Sequence, residues 1–191
     1  MRLFIGVELP DGVKKMAAEQ LDDVMQRVRR AAPSASIRWV EPANLHITLW
    51  FIGEVDERRA AALRSAVEPA FVTPRFDLRL EGLGAFPPSG PPRVIWIGVA
   101  AGREPLVRLH GEIHDRLVPL GYEPEARAFS PHLTVARVKD IRRGDARAVR
   151  GVLAAHPVVL DGFTHPAVTL FRSRTSPKGA QYERLLRVPL K

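Results

Sequence analysis

Cysteine is absent from the chain, which removes disulfides, thiolate metal sites and a cysteine nucleophile from consideration. No apolar run approaches the length of a membrane span. The opening stretch, MRLFIGVELP, has one basic residue and a short apolar run containing Glu8, which makes a poor signal peptide and a good first strand. The expectation is therefore a cytoplasmic protein with no membrane attachment. Nucleotide-binding loops are also missing: there is no Walker motif, and GLGAF at 82–86 lacks the third glycine and following helix of a dinucleotide site. Acidic residues are outnumbered, with 21 Asp+Glu against 29 Lys+Arg and a net charge of +8. A cationic surplus rich in arginine favours polyanions, because each neutralised phosphate releases counterions and the guanidinium fork fits phosphate.

What is present is an ordinary globular composition, 46% hydrophobic over 191 residues, enough to bury one substantial core. Strand and helix periods alternate along it. LFIGVEL reads as a strand, and Asp11 is placed to cap a helix running to about Arg30. That helix carries an apolar stripe of Val13, Met16, Ala17, Leu21, Val24, Met25 and Val28. The strands IRWV and HITLWFI follow, then a helix over 57–70 with Asp56 as its cap. FDLRLEGLGAF and RVIWIGV flank the loop PPSGPP, and a helix over 104–118 leads to the strand HLTVARV. A short helix at 145–155 precedes the strands PVVLDGF, AVTLFRS and YERLLRV, the last two joined by the loop RTSPKGAQ.

Two of these strands carry an anomaly. HITLWF at 46–51 and HLTVAR at 132–137 each place a histidine and a threonine two residues apart in an otherwise apolar run. In a strand such a pair shares one face, so each imidazole has a hydroxyl beside it. With six His and six Thr in the chain, about 0.2 His-x-Thr triplets arise by chance, and two occur. The order of elements after each motif repeats as well: helix, strand, Pro/Gly loop, strand. Trp96 lies 50 positions after His46 and Tyr182 lies 50 after His132. Upstream, a strand and a helix precede each motif. This implies two related α+β lobes with their His-Thr strands on a common cleft.

A histidine can give or take a proton near neutral pH, so two across a cleft supply acid and base for an in-line displacement at phosphorus. The threonine hydroxyls are placed to hold the non-bridging oxygens as charge builds. This chemistry calls for no metal and no cofactor.

Through RLFIGVELP, RWVEPANLHITLWFIGEV, FSPHLTVARV and LFRSRTSPKGAQYERL the chain resembles the 2H phosphoesterases, in particular their RNA 2′,3′-cyclic phosphodiesterase (2′-5′ RNA ligase-like) branch. The resemblance covers nearly the whole chain. It implies a bilobal α+β fold, with two pseudo-symmetric lobes of antiparallel sheet flanked by helices around a central cleft. Residues 1–191 are expected to form one domain of two intertwined lobes, acting as a monomer on RNA ends. The implied reaction is hydrolysis of a 2′,3′-cyclic phosphate to a 2′-phosphate. His46 would protonate the departing 3′ oxygen, His132 would activate water, and Thr48 and Thr134 would bind the phosphate. Phe51 and Arg137, each five residues after a motif histidine, would clamp the terminal base. Strand parity puts an offset of five on the opposite face from the histidine, so a bulge or a strand end must re-aim both side chains.

Other histidines carry less. HGEIH at 110–114 has a helical-turn spacing that can bind zinc, but Gly111 stands where a metalloprotease needs its glutamate, so a solvated helix face is expected. His156 and His165 sit beside prolines in expected loops, without evident partners. Two other functions use the same resemblance. One is joining or hydrolysis of 2′-5′ RNA bonds by the same histidines; the other is a noncatalytic RNA-binding module, which has no need of paired titrating imidazoles.

Overall fold

The computed structural model describes residues 1–123, 128–165, 167–176 and 179–191. Its strands are β1 (Arg2–Glu8), β2 (Ser36–Trp39), β3 (His46–Glu54), β4 (Phe76–Phe86), β5 (Val94–Ala101), β6 (His132–Asp140), β7 (Val159–His165), β8 (Ala167–Ser176) and β9 (Gly179–Pro189). Its helices are α1 (Asp11–Ala31), α2 (Glu57–Val67), α3 (Arg103–Leu117) and α4 (Arg143–Ala155). The elements expected from the sequence are present, with shifts at their ends. Asp11 lies in the first turn of α1, while Pro10 holds the cap position and forms no side-chain cap. Asp56 does cap α2, accepting from the Arg59 amide at 2.7 Å. The last two strands run further than expected, to Ser176 and from Gly179, and the tip of their loop (177–178) lies outside the described residues.

Every strand pairing is antiparallel, and the sheet order is β7-β4-β5-β6-β3-β1-β8-β9. The two lobes are thus β3-β1-β8-β9 and β6-β5-β4-β7, joined at β3 and β6. β5 takes one edge of β6 along residues 132–137, while β3 and β2 share the other. The chain crosses between lobes after each motif: β4, the next strand after β3, pairs in the β6 lobe, whereas after β6 the strand β7 stays in that lobe beside β4 and β8 then pairs in the β3 lobe. The helices obey the same symmetry, since α1 packs on α4 and α2 on α3.

The core lies between sheet and helices. The α1 stripe buries Val13, Ala17, Leu21, Val24 and Val28, with Lys14 added to it. The Lys14 stem is covered, and its ammonium donates to the Ala43 carbonyl at 3.2 Å, tying α1 to the turn that precedes His46. In β3 and β6 the residues between the motif positions, Ile47, Leu49, Leu133 and Val135, are at most 2% exposed. Each fully buried side chain of this kind contributes roughly 1.5–3 kcal/mol, so burial of these residues fixes which face the polar pairs take.

Candidate active site

β3 and β6 touch at one pair, Ile47 against Leu133. Because the strands are antiparallel, that contact sets His46 opposite Thr134 and Thr48 opposite His132. Ile47 and Leu133 are both fully buried, so the four flanking side chains emerge together on the other face. The two His-Thr pairs form a square around a local two-fold axis. The polar pair in an apolar strand, odd in either motif alone, is one half of that square.

The imidazoles are held alike. Nδ1 of His46 lies 2.7 Å from the Asn44 carbonyl, and Nδ1 of His132 lies 2.7 Å from the Ser130 carbonyl. A carbonyl only accepts, so Nδ1 carries hydrogen in each ring and Nε2 is the basic nitrogen. At His46, Nε2 accepts from the Thr48 hydroxyl at 3.1 Å. Each ring also has an aromatic from the neighbouring strand. Phe4 of β1 lies 4.7 Å from His46, and Trp96 of β5 lies 6.4 Å from His132. These belong to the matching segments Phe4-Ile5-Gly6-Val7 and Trp96-Ile97-Gly98-Val99. Tyr182, at the same spacing from its motif as Trp96, does not share the role of Trp96; it packs edge-on against His46 at 5.1 Å. Gly84 makes room for Trp96: a Cβ there would fall 2.2 Å from the indole ring.

The electrostatics of His46 follow from this packing. Burial pushes its pKa down to about 4, and Arg137 and Lys14 push the same way, against the Asn44 carbonyl and Glu8. Burial also raises the Tyr182 phenol, while Arg137 and Arg2 pull it down. His46 is therefore neutral in the open site at pH 7. The sign for stability follows: the unfolded chain takes up this proton near 6.5 and the folded one only near 4, so stability falls as pH drops through that window. The loss amounts to roughly 3 kcal/mol below pH 4. Urea unfolding at pH 7 and pH 4.5 should show a smaller acid-induced loss for His46→Gln than for the wild type; equal losses would contradict the assignment.

Phe51 and Arg137 are re-aimed as strand parity demands. On β3, Ile5 pairs with Trp50 and Gly6 with Thr48, so Leu49 is bulged out; on β6, Ile95 pairs with Ala136 and Trp96 with Thr134, so Val135 is. Each bulge sits three residues after its histidine and brings an exposed side chain to the cleft face. The structure does not bring the two together. Running in opposite directions from the Ile47–Leu133 contact, they lie roughly 20 Å apart along the strands. Phe51 stands beyond His132, and Arg137 stands beside His46, whose pKa it lowers.

A cavity of about 260 Å³ opens between Thr48 and His132, walled by Trp50, Phe51, Phe86 and Phe129. His110 is part of this wall, stacked on Phe129 at 4.4 Å and 5.2 Å from Trp50, which corrects the expected solvated helix face. Glu112 turns the other way and accepts from the Val72 and Thr73 amides at 2.8 and 2.9 Å. Among the described residues no three His, Asp or Glu side chains converge on a point that can hold a metal ion. On the other flank, about 280 Å³ lies between Asn44, His46, Phe171, Tyr182 and Glu8, with Arg184 donating to Glu8 at 2.8 Å. Glu8, Phe4, Phe171 and Phe129 were not singled out from the sequence. His156 caps α4 with Nδ1 2.8 Å from the Val152 carbonyl, and His165 ends β7, so neither stands in an open loop.

A family model described as LigT like phosphoesterase matches the chain twice, over residues 12–96 and 97–182, one match for each motif. An RNA 2′,3′-cyclic phosphodiesterase of Archaeoglobus fulgidus is 35% identical over 188 residues, 97% of this chain and 98% of its own. One of Methanocaldococcus jannaschii is 33% identical, over 96% and 97% of the two chains. Among solved structures, E. coli LigT complexed with 3′-AMP superposes with a TM-score of 0.77 at 26% identity, covering 99% of this chain and 97% of that one. TT0787 of Thermus thermophilus superposes with a TM-score of 0.76 at 29% identity, over 100% and 98%.

Proposed function

This chain belongs to the LigT-like phosphoesterase family, and on that premise we propose that it hydrolyses RNA 2′,3′-cyclic phosphate ends to 2′-phosphates between His46 and His132. The observation that carries the reading is the single contact of Ile47 with Leu133, which turns two remote motifs into one square of imidazoles and hydroxyls. A cyclic phosphate in the square has its non-bridging oxygens held by Thr48 and Thr134. His132 takes a proton from water through Nε2 as the new P–O bond forms. His46 gives a proton to the 3′ oxygen as the old bond breaks, and the phosphate remains on the 2′ oxygen.

An in-line path puts the ribose on the side of the departing oxygen, hence toward His46. Arg137 is then the member of the expected clamp that can stack on the terminal nucleoside, and Phe51 lies on the side from which the nucleophile enters. His46 must be protonated to act, although its pKa in the open site is about 4. The charge of the bound phosphodiester restores that proton. Titration of the His46 ring by NMR should therefore move upward by at least one pH unit when inorganic phosphate is bound; an unmoved or lowered value would remove His46 as the acid.

The test of the reaction is incubation of the wild-type protein with a 2′,3′-cyclic-phosphate RNA end in excess EDTA, with the product isomer identified. A 2′-phosphate is expected. A 3′-phosphate, or activity lost to EDTA and restored by one metal, would overturn the scheme.

The aromatic cavity beside His132 favours a second reading, in which a nucleoside alcohol takes the place of water and a 2′-5′ bond forms. Stacking contributes roughly 1–3 kcal/mol per base and tolerates any base. Phe51→Ala should then lose about tenfold in transfer to a 5′-hydroxyl oligonucleotide while hydrolysis is retained. Equal effects on both reactions would mean the cavity takes no base.

A further inference from the structure

Arg38 on β2 stands directly opposite Arg137 on β6, and both side chains are exposed. Like charges facing each other across a strand pair are destabilising, so the pair calls for an anion. Among the described residues that anion is not a carboxylate: the arginines in ion pairs are Arg27, Arg79, Arg108, Arg172, Arg174 and Arg184. Lys139, two residues beyond Arg137, points to the same face, and the chain at Arg93 closes in from the β5 side. The Arg93 carbonyl accepts from the Val138 amide at 2.9 Å, and its Nη1 lies 3.5 Å from the Lys139 carbonyl. Asp140 borders this ground at the end of β6, opposite Ser36. At about 3.3 Å per residue, Arg137 lies on the order of 10 Å along the strand from Thr134, and Lys139 about 16 Å. The cations thus form a line leading out of the catalytic square on the His46 side.

The direction of this line matches the substrate. The 3′ oxygen is bonded to C3′, next to C4′ and C5′, so the RNA upstream of a cyclic end leaves the site on the side of the group that protonates that oxygen. We infer that Arg38 and Lys139, flanking Arg137, are a backbone track for the phosphodiesters 5′ of the cyclic end, so that an RNA oligonucleotide binds more tightly than a mononucleotide with the same cyclic end. The two ends of the square therefore differ in kind: the β6 end carries cations for phosphates, and the β3 end carries Phe51 and its aromatic wall. The inference rests on the reading above that His46 faces the 3′ oxygen.

Arg38 and Lys139 are exposed and take no part in the square, so the variant Arg38→Gln/Lys139→Gln keeps the fold and tests the track. Two measurements are made on it and on the wild type. The first is fluorescence anisotropy with a 5′-labelled RNA hexamer ending in a 2′-phosphate, across a range of salt. The second is kcat/KM for a 2′,3′-cyclic mononucleotide. The track predicts a Kd raised at least tenfold at low salt and a dependence of log Kd on log salt shallower by roughly 1.4, two phosphate contacts on a single strand. It also predicts mononucleotide hydrolysis within twofold of the wild type. Unchanged affinity and salt slope, or a loss of the same size on the mononucleotide, overturns it. Failure of the wild type to hydrolyse a hexamer ending in a 2′,3′-cyclic phosphate would count against the proposed reaction instead, and the binding measurement would still decide the track.

Discussion

Replacing His46 or His132 by alanine should each slow cyclic-phosphate hydrolysis by on the order of 10²-fold or more, the usual scale for a positioned acid or base. Each ring has its Nδ1 hydrogen fixed on a carbonyl at 2.7 Å, so alanine removes a pre-oriented group and leaves the strand beneath intact. The double variant should lose less than the product of the two single losses, because the groups act in one step. Stopped assays with a cyclic-phosphate oligonucleotide measure all three. Wild-type rates in either single variant would remove that histidine from the mechanism.

The second large effect concerns the hydroxyls. Thr48→Val and Thr134→Val keep the shape of the strand and delete a donor from the square. Each should cost roughly 1–3 kcal/mol of transition-state stabilisation. Thr48→Val also strips His46 of the hydroxyl that lies 3.1 Å from Nε2, so it should alter the pH dependence of kcat/KM. A pH profile unchanged from the wild type in Thr48→Val would mean that its hydroxyl serves the phosphate alone.

Much of this site was legible in the sequence because it is local and repeated. The His-x-Thr spacing set a shared face, the duplicate removed chance, and an offset of five called for a bulge or a strand end, which bulges at Leu49 and Val135 supply. What was not legible is long-range. The opposite running of β3 and β6 places Phe51 and Arg137 at far ends of the square, and no local spacing encodes strand direction. The crossing of β4 and β8 into the opposite lobes is a choice of pairing partner, made by burial across the whole sheet. His110 looked solvated on its helix because its partners, Trp50 and Phe129, come from elsewhere in the chain. Lys14 reads as a surface residue, and only the turn at Ala43 gives its buried stem an acceptor. Arg38 draws its meaning from the residue across from it.

The central claim is a single in-line displacement at phosphorus between two facing imidazoles. Its most direct test is the stereochemical course of hydrolysis, measured with one diastereomer of a 2′,3′-cyclic phosphorothioate in ¹⁸O-labelled water. Water activated by His132, opposite a 3′ oxygen protonated by His46, gives inversion of configuration. Retention would require two successive displacements through a covalent phospho-enzyme, and would contradict the account.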